Sequence, residues 1–234
     1  MDLKEHKALG EQADTHWYYV SKARMITRHF PHQLHQILDV GAGLGWFSKW
    51  LLRNGYGTTA VCVDPGYDSE STETLTNGSS IQYVRSITKS DADLVLLMDV
   101  LEHVDDDVAL LKEYWDKAAS GTVFILTVPA FEFLWSAHDD YLEHRRRYTT
   151  KRLAETIRAA GAEPQQLHYF FGGIFPAAAA VRMLKRSSTP DRSDMGAVPA
   201  LLNGTLKGLC RLESTIMKFN GVAGLSVVAQ LVKP

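Results

Sequence analysis

Short apolar runs without regular alternation recur along the first half of the chain. They lie at residues 36–40, 59–64, 93–99 and 121–129. Strands that are buried on both faces have this pattern, because helices cover both sides of a parallel sheet. We therefore predict that these four runs are parallel strands in the interior of one sheet.

Helical patterns separate these runs. Residues 45–55 and 105–118 carry apolar side chains at helical spacing, and the second stretch begins with three aspartates, which favour the first turn of a helix. A further helix is predicted at 149–161, with a threonine N-cap and with Gly161 as its C-cap. This alternation of strands and helices predicts a doubly wound α/β sheet with right-handed crossovers.

Two regions depart from the simple alternation. A helix is predicted before the first strand, and the region 172–220 contains two apolar helical patterns around a proline-containing loop, followed by a last strand at 224–233. We therefore expect a single domain over residues 1–234, with an N-terminal helical lid at 1–30 and a helical insertion at 172–220.

Composition and charge exclude several classes of protein. The chain has 234 residues, 45% of them hydrophobic, and a net charge of −2, so it carries no overall basic field for nucleic acid. No window reaches the roughly 18 apolar residues that a membrane span needs, and the polar N-terminus is unlike a signal peptide. Cys62 and Cys210 lack metal-ligand spacing and favour a reducing compartment. We expect a cytoplasmic protein.

A glycine-rich turn follows the first predicted strand, in the stretch ILDVGAGLGWFS. Gly41, Gly43 and Gly45 allow the backbone to turn sharply and to approach a ligand without an intervening Cβ. A dinucleotide-binding fingerprint would need a glycine where the chain has Trp46. Asp64 ends the next strand, where a carboxylate can accept both hydroxyls of a ribose. The pattern therefore favours a nucleoside without a bridging pyrophosphate over a nicotinamide dinucleotide.

Three motifs together carry a family resemblance. ILDVGAGLG, VCVDP and DLVLLMDVLEHV resemble motifs of the class I S-adenosylmethionine-dependent methyltransferases, in the branch often labelled type 11 or type 12. The resemblance covers roughly residues 15–170. It implies S-adenosylmethionine as the cofactor and a mostly parallel seven-stranded sheet with helices on both faces. Residues 166–171 and 225–232 would form an antiparallel hairpin at one edge.

The resemblance also implies a cofactor site. It assigns the methionine end of the cofactor to the glycine turn and the ribose to the end of the second strand. It assigns the adenine to residues 85–87, which match the stretch after the family's third strand, and the far side to the motif DVLEHV. An N-terminal aromatic element would close over the cofactor, with His16, Trp17, Tyr18 and Arg24 as second-tier candidates. The candidate cofactor-binding residues are Asp39, Gly41, Ala42, Gly43, Asp64, Pro65, Ser86, Ile87, Asp99, Val100, His103, Tyr18 and Arg24.

The polar segment LWSAHDDYLEHRRRYTT follows the parallel strand predicted at 121–129. Ligands bind beyond the carboxyl ends of such strands, so we expect this segment to be a loop over the substrate mouth. A similar stretch recurs at this point in the type 12 branch. An oxygen acceptor must lose a proton, and a histidine suits that role near neutral pH. The catalytic candidates are His138, favoured as the base, His144 as the second choice, Asp139 and Tyr148.

Two other interpretations of this segment stay open. His138, Asp139, Asp140 and His144 are metal-ligand types, but their spacing matches no familiar pattern, so we expect no metal site. The arginines could clamp a carboxylate or phosphate of the acceptor, or could form a solvated surface.

The sequence thus predicts methyl transfer from S-adenosylmethionine to a small-molecule or lipid-like acceptor, at oxygen. The alternatives are a non-catalytic S-adenosylmethionine-binding regulatory module and, less favoured, a nicotinamide-dependent oxidoreductase. We expect no nucleic-acid partner. The insertion at 172–220 could cap the pocket, contact a membrane surface peripherally or form a dimer interface, and the oligomeric state stays open.

Overall fold

The computed structural model of the protein describes residues 14–30, 33–184 and 198–234. Eight strands form one sheet in the order β3-β4-β2-β1-β5-β6-β8-β7. The strands β4, β2, β1, β5 and β6 are parallel, and the pairs β3–β4, β6–β8 and β7–β8 are antiparallel. The strand bounds are β1 Gln36–Val40, β2 Thr59–Val63, β3 Ser71–Thr74, β4 Ser80–Val84, β5 Leu94–Met98, β6 Val123–Pro129, β7 Gln166–Phe170 and β8 Ser226–Val232.

Seven α-helices accompany the sheet within the described residues. Asp106 and Thr149 cap two of them, because their side chains accept hydrogen bonds from the backbone amides of Ala109 and Arg152. Gly161 has a φ of 84° just beyond the second of these helices, as its predicted C-cap role requires. The helix bounds are α1 Trp17–Ile26, α2 Trp46–Arg53, α3 Asp107–Lys117, α4 Ala137–Tyr141, α5 Thr150–Ala159, α6 Phe175–Leu184 and α7 Ala200–Glu213.

Two buried apolar clusters lie on opposite faces of the sheet. Along β5, Leu94, Leu96 and Met98 join one cluster, whereas Val95 and Leu97 join the other. Successive side chains of a strand point to opposite faces, so this central strand is covered on both sides. The doubly wound α/β architecture predicted from the apolar runs is therefore confirmed.

The strand count differs from the prediction. The sheet has eight strands rather than seven, because Ser71–Thr74 forms an additional antiparallel edge strand with β4. The residues of this strand are Ser, Thr, Glu and Thr, and most of them are exposed. A short polar edge strand gives no apolar pattern in the sequence, so it was missed.

The antiparallel hairpin at the other edge is confirmed. The last strand, β8, lies between β6 and β7 and pairs antiparallel with both. The strand β8 therefore pairs with β6, the last of the parallel strands on this side of the sheet. This arrangement places the insertion that precedes β8 beside the carboxyl edge at which β6 ends.

The predicted insertion supplies α6 and α7, and the loop between them at 185–197 lies outside the described residues, as do residues 1–13 of the predicted lid. The amide of Trp17 at the start of α1 donates to Asn203 Oδ1 at 2.7 Å, and Asn203 Nδ2 donates to the carbonyl of Thr15 at 2.9 Å. These bonds tie α7 to α1. None of the described helices is long and apolar enough to cross a membrane.

A buried pair of histidines predicts a dependence of stability on pH. The rings of His29 and His168 stack with centroids 5.2 Å apart, and their Nε2 atoms are 3.2 Å apart. Burial and the neighbouring imidazole lower the pKa of His29 to about 4, and burial lowers the pKa of His168 as well. The folded state therefore resists protonation that the unfolded chain accepts near its ordinary pKa of about 6.5.

Because these pKa values are depressed in the fold, the free energy of unfolding should be highest above pH 6.5 and should fall as the pH drops through about 4. For His29 alone we expect a loss of about 2–3 kcal/mol between pH 7.5 and 4.5, measured by urea unfolding. His29→Gln should flatten this dependence, whereas the same change at the exposed His35 should not. An unchanged slope in His29→Gln would contradict the assignment.

Candidate active site

The glycine turn and the acid of the second strand lie in contact. The amide of Gly43 donates to Asp64 Oδ2 at 3.1 Å, and the amide of Gly66 donates to Asp64 Oδ1 at 2.9 Å. The amide of Gly41 donates to the carbonyl of Val63 at 2.8 Å, which fastens the turn to the end of β2. The structure thus brings together two features that a nucleoside site needs. These are a glycine turn without Cβ atoms and a carboxylate that can accept hydrogen bonds from ribose hydroxyls.

Asp39 supports this turn from within the protein. Its side chain is buried, and Asp39 Oδ2 accepts a hydrogen bond of 2.8 Å from Ser48 Oγ in α2. Burial raises the pKa of this carboxyl above its ordinary value. The bond links the end of β1 to the first turns of α2 across the glycine turn.

The turn also packs closely against the end of β5. Gly41 has a φ of 63°, and a Cβ at this position would lie 2.8 Å from Cγ1 of Val100. A side chain here would therefore be strained and would also push Val100 away. Ala42 and Gly43 are buried, and the amides of residues 41–43 donate to Val63 or Asp64, which holds the turn against the end of β2.

We expect Gly41→Ala to weaken S-adenosylmethionine binding at least about tenfold, because the turn would shift away from its cofactor-binding position to relieve left-handed strain and the contact with Val100, which together cost on the order of 1–3 kcal/mol. Calorimetric titration would measure the change. Gly55→Ala is the matched control, since Gly55 also has a positive φ, of 77°, but a Cβ there would meet nothing within 4 Å. Equal affinities in the two variants would contradict the expectation.

Asp99, directly after β5, has a strained backbone and a buried cation beside it. Its φ is 56°, in a region that non-glycine residues rarely adopt. Asp99 Oδ2 accepts a hydrogen bond from Lys22 Nζ, and Asp99 Oδ1 accepts one of 3.1 Å from Thr127 Oγ1. Lys22 is fully buried, and although burial alone would lower its pKa, the charges and hydrogen bonds of Asp99 and Tyr18 together outweigh that effect and raise the pKa.

Lys22 was not among the candidates predicted from the sequence, which included Arg24. Lys22 Nζ donates to Tyr18 Oη at 2.9 Å, one helical turn away, whereas the side chain of Arg24 is exposed. Residues four apart share a helix face and residues six apart do not, so Tyr18 and Lys22 point together toward β5. A lysine within the aromatic stretch HWYYVSKAR is the signal that could have identified it.

The N-terminal aromatic residues pack against the end of β7. Tyr18 stacks on Phe171 with ring centroids 5.1 Å apart, and Trp17 meets the same ring edge-on at 5.6 Å. His16 is the N-cap of α1, and its Nδ1 accepts from the amide of Tyr18 at 3.4 Å. These contacts place the aromatic residues together at the end of the sheet near Asp99. This position is compatible both with core packing and with one wall of the cofactor site.

The remaining cofactor candidates also follow strands of the parallel sheet. Val63 and Val84 are paired across β2 and β4, so Pro65 and Ser86 emerge at the same edge as the glycine turn. Both are exposed, and Ile87 is half-buried against the core. An adenine ring between these strand ends would meet Ser86 and the backbone rather than an acidic side chain.

The polar segment at 134–150 is more ordered than a loop. It contains α4, and the amide of Ser136 donates to Asp139 Oδ2 at 2.9 Å in a capping box. The Asp139 carboxylate is fully buried and is held by Arg147 Nε at 2.8 Å and by His144 Nδ1 at 2.8 Å. Although burial opposes its charge, these two partners lower the pKa of Asp139 well below its usual range.

Tyr148 lies in the core and not in an open mouth. Its side chain is fully buried, and Tyr148 Oη donates to Asp107 Oδ2 at 2.7 Å. Burial and this bond raise the pKa of the phenol above its ordinary value. Tyr148 thereby anchors the segment to the first turn of α3.

The arginines of the segment bind neighbouring protein groups. Arg145 Nε donates to the carbonyl of His103 at 3.0 Å, and an Arg146 guanidinium nitrogen donates to the carbonyls of Val104 and Asp105 at 2.7 and 2.8 Å. Arg145 is exposed, as the interpretation of a solvated surface expects, and Arg146 is half-buried. The arginines fasten the segment along the residues that follow β5.

That fastening brings two histidines and a glutamate together. The rings of His103 and His144 meet edge to face with centroids 4.7 Å apart. Glu102 is fully buried beside them, and its carboxylate oxygens have no hydrogen-bond partner on any other described residue. One potential metal-ligand atom from each of Glu102, His103 and His144 lies within 4.8 Å of the others.

His138, the base favoured from the sequence, is buried on α4.

Comparison with known proteins identifies a family for the sequence and related structures for the fold. A family model described as a methyltransferase domain matches residues 15–167. No curated protein matches the sequence. The fold is similar to that of a methyltransferase solved in complex with the Trm112 methyltransferase activator of Haloferax volcanii, with 15% identity, a TM-score of 0.58, and coverage of 100% of this chain and 99% of that chain.

Two further solved structures share the fold. One is an S-adenosylmethionine-dependent methyltransferase of Archaeoglobus fulgidus, at 16% identity and a TM-score of 0.55, covering 98% of this chain and 97% of that one. The other comes from Mesorhizobium loti, at 13% identity and a TM-score of 0.55, covering 92% and 99%. The chain therefore belongs to the methyltransferase-domain family and is a class I enzyme that uses S-adenosylmethionine.

Proposed function

We propose that this enzyme methylates an oxygen atom of a small-molecule or lipid-like acceptor. The observation that carries the proposal is the bond of 2.8 Å between His144 Nδ1 and the buried Asp139 carboxylate, at the same sheet edge as the glycine turn and Asp64. An acceptor hydroxyl must lose its proton, and an imidazole held by a carboxylate is suited to take it.

The residues divide into those that hold the cofactor and those that act on the acceptor. S-adenosylmethionine, when bound, supplies an intrinsically electrophilic methyl group. The backbone at 41–43 and the carboxylate of Asp64 would hold it, because this region combines a bare glycine turn with a carboxylate at its rim. Asp99 and Val100 would line its far side.

We assign the base role to His144 in preference to His138. With its Nδ1 engaged by Asp139, His144 has Nε2 left as the nitrogen that can take a proton. Asp139 would orient this ring and would not itself exchange protons, since Arg147 also binds it. Tyr148 is assigned an anchoring role, because its hydroxyl already donates to Asp107 in the core.

The helical insertion supports a lipid-like acceptor. Leu201, Phe219 and Val222 are 85%, 90% and 85% exposed, and Leu212 and Ile216 are also exposed. An open groove of about 420 Å³ lies against this region and is lined mainly by apolar groups of α7 and the turn after it. We propose that the insertion at 172–220 and the lid at 1–30 belong to the same domain as the sheet and receive the apolar part of the acceptor.

Methyl transfer from isotopically labelled S-adenosylmethionine into soluble and lipid extracts would test the proposal. Mass spectrometry of the labelled product should locate the methyl group on oxygen. Label on a nitrogen or carbon atom would refute oxygen methylation. Label confined to water-soluble products without an apolar part would refute the lipid-like acceptor and the role given to the insertion.

A further inference from the structure

We propose that Glu102, His103 and His144 form a binding site for a divalent transition-metal ion beyond the carboxyl end of β5. This goes beyond the cofactor roles above, and with the ion bound it gives His144 Nε2 the role of a metal ligand in place of the base role. Three observations support it, and each concerns a different property of the cluster: its donor atoms, its burial, and the groups behind it.

The first observation is the donor set. One imidazole nitrogen from each histidine and one oxygen of Glu102 lie within 4.8 Å of one another. Two atoms that share an ion at about 2.1 Å each can be at most about 4.2 Å apart, so small side-chain rotations would close the set. Two histidines and one carboxylate form the donor set of many catalytic zinc and iron sites, and it also suits cobalt and manganese.

The second observation is the unsatisfied acid. Carboxylates are almost never fully buried unless they are paired, because the loss of hydration costs several kcal/mol. Glu102 is fully buried, and neither oxygen is bonded to another described residue. Burial and then the charge of Asp99 raise the pKa of Glu102 well above its ordinary value. A cation between Glu102 and the histidines would supply the missing partner and offset the repulsion from Asp99.

The third observation is the support behind His144. Metal-binding histidines usually donate their other ring N–H to a carboxylate, which fixes the tautomer and the ring orientation. His144 Nδ1 is bonded in this way to Asp139, and Asp139 is fixed by Arg147. His144 Nε2 is thereby presented as the coordinating atom. The cluster shares His144 with the four residues whose spacing argued against a metal site, but its other two ligands, Glu102 and His103, come from the stretch after β5.

The role of the ion at this site rests on the proposed oxygen methylation. Three protein ligands leave coordination positions open, and a hydroxyl bound at one of them has a strongly lowered pKa. With the ion present, His144 is a ligand, and the hydroxyl proton is released to solvent instead of being taken up by the ring. The acceptor is also held at a fixed point next to Asp99.

Metal binding can be measured without an acceptor. We would treat the full-length protein with EDTA and titrate it calorimetrically with Co²⁺, Zn²⁺, Mn²⁺ and Mg²⁺, following Co²⁺ also by its visible absorbance. We expect one ion per chain, with Mg²⁺ the weakest because imidazole suits the transition metals. Glu102→Gln and His103→Gln should each weaken binding at least about tenfold, and Asp139→Asn about 10–100-fold through His144.

The matched controls are Glu70→Gln and His35→Gln, which change the same residue types at exposed positions. They should bind the ion as the unmodified protein does. An absence of binding, or binding that is unchanged in Glu102→Gln while thermal unfolding confirms that this variant is folded, would overturn the proposal. In that case Glu102 is a protonated, neutral side chain of the core.

Failure of the metal site and failure of the proposed function give different results. Labelled methyl transfer would be compared between EDTA-treated and Co²⁺- or Zn²⁺-reloaded protein. Restored transfer on reloading supports both the site and its role. Ion binding without any oxygen-methylated product refutes the proposed function alone, whereas transfer to oxygen by metal-free protein that binds no ion refutes the metal site alone.

Discussion

Replacing His144 by Gln is expected to lower the turnover number about 10²–10⁴-fold, with little change in S-adenosylmethionine affinity. The side chain is removed from the acceptor side of the site, while the glycine turn and Asp64 stay intact. Gln retains a polar group of similar size but can neither take up a proton nor coordinate an ion as imidazole does. Initial rates with a labelled cofactor and calorimetric titration of the same preparation would measure the two quantities.

Histidine-to-glutamine changes at two other positions provide a control and test the competing assignment of the base. His35→Gln changes an exposed histidine before β1 and should leave turnover unchanged. His138→Gln separates the two histidines of the segment. If it abolished turnover while His144→Gln remained active, the base role would return to His138, as the sequence alone had favoured.

The second large effect concerns stability. Asp139→Asn should lower the free energy of unfolding by about 3–5 kcal/mol, because removing one partner leaves the other charge buried and uncompensated. Arg147 is 4% exposed, and two of its guanidinium nitrogens bind the Asp139 carboxylate at 2.8 and 3.0 Å. Urea unfolding at neutral pH would measure the loss.

Two further variants make this prediction specific. Asp140→Asn removes the same charge from the neighbouring residue, whose carboxylate is exposed and accepts from Trp135 Nε1, and should cost less than about 1 kcal/mol. Asp139→Asn combined with Arg147→Met removes both buried charges and should recover much of the loss. Equal destabilisation by Asp139→Asn and Asp140→Asn would show that the buried pair is not the cause.

Local sequence patterns were sufficient to predict features that depend on residues close together in the sequence, such as the glycine turn and the buried strands. Gly41, Gly43 and Gly45 all have φ between 54° and 67°, as a sharp turn after β1 requires. The apolar runs were correct for β1, β2, β5 and β6, because burial on both faces removes polar residues from such strands. The polar strand β3 has no such constraint and escaped detection.

Local sequence patterns could not predict contacts between segments that are distant in the sequence. Lys22 meets Asp99, and Arg145 and Arg146 fasten their segment to residues 103–105, only because the fold brings α1, the end of β5 and the stretch after β6 together. From the sequence, the polar segment was expected to be a loop over the substrate mouth with His138 as its base. The packing instead buries Asp139 and directs His144 toward His103.

The sequence by itself determined the doubly wound fold, the glycine turn and the acid that follows the second strand, because strand burial and backbone freedom are properties of short stretches. Only the tertiary structure decided which histidine has a carboxylate behind it and that Glu102 is buried without a partner. Those properties depend on which side chains meet across the sheet edge and how far water is excluded there, and no single stretch of sequence specifies either.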